Sequence, residues 1–397
     1  MKLSARAERL QPSATLTITA KAKALKSQGV DVIGFGAGEP DFDSPDHVKE
    51  AAIRAINEGM TKYTGVGGID ELKDAIIYRL KEDHNLEYEK SEIIASVGAK
   101  HTLYNVIQVL FDKGDEVIVP APYWVSYPEQ IKLAEATPVI LETKESDGFK
   151  ITPTALKQHI NSNTKALILN YPSNPTGATY NEEELRAIVD VAMDAGLIII
   201  SDEIYEKIIY GGIKHIPVAS LGEDIKKATI LVNGVSKTYS MTGWRIGYAA
   251  GDKGVISAMS KLQGQSTSNP TSISQWAAIA ALRGDHQIID DRTKEFEQRK
   301  NYIVEKLNDI PQINCFDPQG AFYVFPNVSG CYGKEYNGKI IKDSLDFTEF
   351  ILDEAKVAVV PGVAFGADDY VRISYATSMD DIVKGIDRMT EAIQKLS

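Results

Sequence analysis

Cysteine is nearly missing: Cys315 and Cys331 are the two in 397 residues, too few for a disulfide framework or a zinc site. Such sparse use fits a reducing, cytosolic compartment. Long apolar runs are missing as well. The richest, Gly196 to Ser201, is of strand length, well short of the roughly 20 residues that a membrane-spanning helix needs. Lys2, Arg6, Glu8 and Arg9 interrupt Met1 to Leu16, so no signal peptide is expected there. Positive charge is in deficit, because 43 Lys and Arg against 55 Asp and Glu leave a net charge of -12, which repels phosphate backbones and anionic lipid. Nucleic acid and membrane partners are therefore not expected. His47, His84, His101, His159, His215 and His286 show no metal-ligand spacing, and no metal is expected.

What is present is an ordinary globular composition, 43% hydrophobic and 25% charged, at a length suited to two or three domains of roughly 150 residues. Apolar runs rich in Ile and Val lie at Glu92 to Val97, Glu116 to Val119, Lys165 to Leu169, Leu197 to Ile200, Thr229 to Val232 and Ile246 to Ala250, separated by periodic segments such as Glu182 to Ala195. That alternation predicts a mainly parallel sheet covered on both faces by helices, an α/β domain over 46–285. A charged helical stretch, Asp290 to Leu307, and short strands near Ala321 to Phe325, Val357 to Val360 and Val371 to Ser374 predict a smaller α+β domain over 286–397. Residues 1–45 read as an arm that contributes an extended piece, Val30 to Phe35, to that smaller domain, and Gly330 to Gly338 reads as a surface loop.

Familiar motifs fail on inspection. Gly333 to Lys339 has P-loop spacing, but Ile340 stands where a magnesium-binding hydroxyl belongs. Gly34, Gly36 and Gly38 alternate, yet Asp41 replaces the last glycine of a dinucleotide fingerprint. Gly234-Val235-Ser236-Lys237-Thr238 begins as a nucleophile elbow and lacks its closing Gly.

In open α/β sheets ligands collect beyond the carboxyl ends of strands. Those positions hold Gly98, Ala99 and Lys100; Tyr123 and Trp124; Asn170 and Asn174; Asp202 and Tyr205; and Ser236 and Lys237. The set suits an aromatic aldehyde cofactor with a phosphate tail, pyridoxal phosphate, since a lysine amine can form a Schiff base and a carboxylate can keep a pyridine nitrogen protonated. Each residue taken singly also has a structural reading, as a helix cap, a turn residue or a core aromatic.

Ser173-Asn-Pro-Thr-Gly177, Ser201-Asp-Glu-Ile-Tyr205, Ser236-Lys-Thr238 with Met241-Thr-Gly-Trp-Arg-Ile-Gly247, Val371-Arg-Ile-Ser-Tyr-Ala376 and the turn Ala37-Gly-Glu-Pro-Asp-Phe42 resemble, in order and spacing, the class I aminotransferases of fold type I. Within that family the chain most resembles bacterial aspartate aminotransferases of the Bacillus and Thermus type. The resemblance implies a three-layer large domain with a mainly parallel seven-stranded sheet plus the smaller domain, pyridoxal 5'-phosphate as cofactor, and a homodimer. It implies a ping-pong transfer of the amino group of L-aspartate to 2-oxoglutarate, giving oxaloacetate and L-glutamate.

It also implies roles. Lys237 would bind the cofactor aldehyde and shuttle the substrate's alpha proton, Asp202 would pair with the pyridinium nitrogen, and Tyr205 and Asn174 would donate to the phenolate oxygen. Trp124 would stack on the ring; Gly98, Ala99, Lys100, Ser236 and Arg245 would surround the phosphate; and Tyr63 would reach the phosphate of the neighbouring subunit. Gly234 stands three residues before the lysine, where many relatives carry a phosphate-binding Ser. Arg372 and the Gly38 backbone would hold the substrate's alpha-carboxylate. The arginine that grips the distal carboxylate in the animal and enteric enzymes is replaced here by Gly264, four residues before Ser268-Asn269-Pro270, and Lys100 takes its part in the Bacillus and Thermus branch. A carbon-sulfur lyase or another aminotransferase with the same cofactor, and a non-catalytic sensor of the same fold, are the competing readings; the chain has no basic segment for the DNA-binding domain that such sensors carry.

Overall fold

The computed structural model describes residues 2–10 and 14–397; Met1 and residues 11–13, part of the stretch read for a signal peptide, lie outside the described residues. After a helix at Ala14–Ser27 and a short strand, β1 (Ile33–Gly34), the helix Asp46–Asn57 turns Val48, Ala51, Ala52 and Ala55 inward at helical spacing. Seven strands then build one sheet: β2 (Ile93–Ser96), β3 (Glu116–Ala121), β4 (Thr137–Glu142), β5 (Thr164–Asn170), β6 (Ile198–Asp202), β7 (Thr229–Gly234) and β8 (Gly247–Ala250), in spatial order β2-β8-β7-β6-β5-β3-β4. β8 runs antiparallel to both neighbours and the remaining pairs are parallel. This is the expected α/β fold with a mainly parallel seven-stranded sheet.

The apolar runs coincide with every strand of the sheet but β4, where Thr137, Pro138 and Glu142 shorten the apolar stretch and edge position tolerates the proline. Central β7 is buried along its whole length, as Ile, Leu and Val runs require when helices cover both faces. One covering helix, Glu182–Asp194, starts at a capping box between Asn181 and Glu184 and buries Leu185, Ile188, Val189 and Ala192.

Beyond the helix Gln287–Asn308 come β9 (Tyr323–Val324), β10 (Glu335–Tyr336), β11 (Lys339–Ile340), β12 (Val357–Ala358), β13 (Val360–Pro361), β14 (Val371–Ser374) and the helix Met379–Ile393. β13, β14 and β9 form a small antiparallel sheet. Part of the stretch read as a loop is a hairpin: β10 and β11 pair around Asn337 and Gly338, whose φ of 50° and 78° are the left-handed pair of a tight turn. β1 pairs in parallel with β12, and Ile33 and Phe35 share a core with Val357, Ile373, Ile386 and Met389. That core continues through Tyr323 to Ile204 and Tyr205 at the end of the large sheet. Among the described residues, no helix is long and apolar enough to cross a membrane.

Candidate active site

A cavity of about 320 Å³ opens beyond the carboxyl ends of the parallel strands, and Gly38, Ala99, Lys100, Trp124, Asn174, Asp202, Tyr205, Ser236, Lys237, Arg245 and Arg372 all line it. Gly98 immediately precedes this wall as the N-cap of the helix Ala99–Leu110. Tyr63 does not reach the cavity; its side chain is 91% exposed and faces a surface hollow with Thr267, Ser268 and Asn269.

Asp202 ends β6 and is buried. Burial pushes its carboxyl up to about 6, although Tyr127 Oη donates to Oδ2 at 2.6 Å and restrains the rise. No helix begins here; the chain turns instead. Lys237 follows β7 and donates to the Gly38 carbonyl. Its amine is brought down to about 8, first by burial and then by the positive charge of Arg372. An acid and an amine thus share one cavity, each moved toward neutrality by the loss of water.

Arg372, on β14, is buried beside them, with Nη1 donating to Asn174 Oδ1 at 2.9 Å and Nη2 to the Gly36 carbonyl at 2.8 Å. Its Nε is buried without a partner, and each Nη keeps a second hydrogen that a planar anion entering the cavity can use. Because Asn174 presents its oxygen to Arg372, its amide N–H groups are free to face the cavity. Tyr205 Oη lies 2.8 Å from Tyr323 Oη.

At the other end Gly98 adopts φ 85° and ψ 158°, a region for glycine alone, and a Cβ there would overlap the Arg245 guanidinium. Arg245 is held over the helix start by bonds to the Thr242 and Val97 carbonyls at 2.8 and 3.3 Å. The leading N–H groups of a helix lack intrahelical acceptors, so this end favours an anion. Gly234 has a steric reason: a Cβ would fall 2.9 Å from Gly247 Cα, and β7 and β8 approach too closely for a serine. Lys100 Nζ stands 4.9 Å from the centre of the Trp124 ring, its basicity lowered by burial and by Arg245. No carboxylate pairs with it among the described residues.

Residues 30–389 match the family model for aminotransferase class I and II. The chain belongs to the class I and II aminotransferases. This aminotransferase is 54% identical to the aspartate aminotransferase of Geobacillus stearothermophilus over 98% of each chain. Its structure superposes on the aspartate aminotransferase of Rhizobium meliloti with a TM-score of 0.96, at 43% identity and full coverage of both chains. A Thermus thermophilus aspartate aminotransferase with maleate gives a TM-score of 0.93 at 40% identity, covering 99% of this aminotransferase and 100% of that chain.

Two tyrosines of the aminotransferase's cavity escaped the sequence reading. Tyr127 stands three residues after Trp124, at the second position of the helix Ser126–Leu133, a spacing that could have drawn attention to it. Tyr323 comes from β9 and left no signal, because tertiary packing alone brings that strand to Tyr205.

Proposed function

We propose that this aminotransferase is an aspartate aminotransferase dependent on pyridoxal 5'-phosphate, moving the amino group of L-aspartate to 2-oxoglutarate and releasing oxaloacetate and L-glutamate by a ping-pong mechanism. The observation that carries the reading is the convergence of Asp202, Lys237, Arg372 and Lys100 on one cavity. The cavity suits the cofactor. Its volume is that of a small-ligand site, its buried acid would regain a full charge opposite a pyridinium, and its far end offers a helix start, Ser236 and Arg245 to a phosphate. When bound, pyridoxal phosphate supplies an aldehyde and a protonated ring that takes up electron density.

The chain's own residues do the rest. Asp202 would hold the proton at the ring nitrogen, its carboxylate kept in place by Tyr127. Lys237 Nζ, its basicity reduced to about 8, would bind the aldehyde and, once the substrate's amino group has displaced it, would serve as the base for the proton on the substrate's alpha carbon. Asn174 and Tyr205 would donate to the phenolate oxygen, and Trp124 would cover the ring. Arg372 binds the alpha-carboxylate as a fork beside the Gly38 backbone, which fixes the alpha C–H direction. Lys100 would meet the distal carboxylate, since it lines the same cavity as Arg372 and offers a second cation to a dicarboxylate substrate. Tyr63 contributes to the phosphate site of a second copy in a cytoplasmic homodimer, a part supported by its exposure outside its own chain's cavity. A large domain over 46–285 and a small one built from 1–45 and 286–397 agree with the β1–β12 pairing.

The test is an absorption spectrum of the protein with pyridoxal phosphate, before and after L-aspartate alone. The visible band should give way to near-ultraviolet absorption, and 2-oxoglutarate should restore it. A band unmoved by L-aspartate would remove the substrate assignment, and pyruvate release without any keto acid would point to a lyase.

A further inference from the structure

Residues 201–206 read Ser-Asp-Glu-Ile-Tyr-Glu. β6 ends at Asp202 and the chain turns at once, with the Glu206 N–H bonded to Glu203 O at 3.0 Å and the Ile208 N–H to Tyr205 O at 2.8 Å. This three-residue period sends Asp202 and Tyr205 into the cavity and Glu203 and Glu206 to the opposite side. Both carboxylates are buried there, and each meets one histidine. His215 Nε2 lies 2.8 Å from Glu203 Oε2, and His84 Nε2 lies 2.7 Å from Glu206 Oε2. Ser201 Oγ donates to the other oxygen of Glu203 at 2.7 Å. The imidazoles stand edge to face at 5.9 Å, and His215 stacks at 5.0 Å on Tyr171, whose N–H bonds to the Asp202 carbonyl at 3.4 Å.

A buried carboxylate without a partner is strongly unfavourable, so this turn keeps its shape only while both histidines are in place. His84 closes the helix Asp70–His84, an end that favours a cation. Burial opposes its protonation, but the bond to Glu206 and the charges of Glu206 and Glu203 outweigh burial and raise the imidazole. Burial likewise works against the Glu206 carboxylate, yet His84, Lys207 and His215 hold it down at about 2. A pair of apolar side chains would fill the same volume with less desolvation, so the ionic arrangement calls for a purpose beyond packing.

We propose that His84 and His215 are positioning residues: through Glu206 and Glu203 they fix the turn that aims Asp202 and Tyr205 at the cofactor. The inference rests on the aminotransferase reading of the cavity. To test it, wild type, His84→Leu, His84→Gln and Glu206→Leu are titrated with pyridoxal phosphate by tryptophan fluorescence, the pH midpoint of the visible band is recorded, and each is melted. His84→Leu should bind about tenfold more weakly and move the midpoint by about half a unit or more, because a buried acceptor loses its donor and the ring loses its aligned counter-charge. His84→Gln, which keeps an N–H at the reach of Nε2, should recover both. If His84→Leu does not fold, Glu206→Leu carries the test, since it removes both the buried charge and the acceptor that ties the turn to His84 and should show the same two shifts. A lower Tm with wild-type affinity and midpoint, in either variant, would overturn the proposal. A wild type with no visible band would instead defeat the pyridoxal phosphate reading of the cavity.

Discussion

Asp202 and Lys237 are both moved toward neutrality by the same cavity, and the amine's shift has a kinetic consequence. Only the unprotonated amine can capture an aldehyde. The rate at which the cofactor-free protein takes up pyridoxal phosphate should therefore rise about tenfold per pH unit up to a midpoint near 8 and then level off, because the neutral fraction saturates there. A lysine left at its ordinary 10.5 would keep gaining over that whole range, so stopped-flow uptake against pH decides the matter. Lys100 can be tested by comparing substrates. Lys100→Ala should lower kcat/KM for L-aspartate at least about tenfold further than for L-alanine, which has no distal carboxylate to lose a partner. An equal fall for both would remove its assignment. Lysines and acids directly after apolar runs were legible in the sequence because strand ends are where such sheets bind ligands. Arg372 was legible through family resemblance alone, and Tyr323 was not legible, since neither has an apolar run to point from the large sheet toward it.

At the scale of elements, the helix Ala99–Leu110 is aimed at the cavity by one residue, Gly98, whose backbone angles no side chain tolerates and whose bare Cα admits the Arg245 guanidinium. Gly98→Ala should cost about 1–3 kcal/mol of stability from the backbone conformation, measurable by urea unfolding of the cofactor-free protein. It should also weaken pyridoxal phosphate binding about tenfold or more by displacing Arg245 from the helix start. Loss of stability with unchanged cofactor affinity would detach this helix end from the phosphate. The strands were readable where both faces are buried, since continuous Ile, Leu and Val leave few alternatives. The edge strand β4 and the hairpin β10–β11 were not readable, because half-exposed strands mix Thr, Pro, Glu and Lys into the pattern and the hairpin's signal is confined to Asn337-Gly338. The histidines behind the catalytic turn were out of reach for a related reason. His84 and His215 lie on segments far apart in the chain, and only the packing of the helix Asp70–His84 against the turn brings them together, edge to face.

For the whole molecule, the question is where Tyr63 acts. Ile53 and Ile56 on the helix Asp46–Asn57, and Met60 and Tyr63 just beyond it, are all exposed, apolar side chains that one chain leaves open to water. A second copy seated there would cover them and, on the proposed reading, bring each Tyr63 to the other chain's phosphate site. Two inactive proteins then become a test. A Tyr63→Ala chain keeps Lys237 but lacks the hydroxyl that it lends, whereas a Lys237→Ala chain lends its Tyr63 but cannot react. In a mixed dimer one site receives both defects and the other receives neither. With random exchange half of the dimers are mixed and each has one intact site, so the mixture should recover about a quarter of wild-type activity. A mixture no more active than its parents, with exchange verified by mass, would mean that Tyr63 does not act across a subunit boundary.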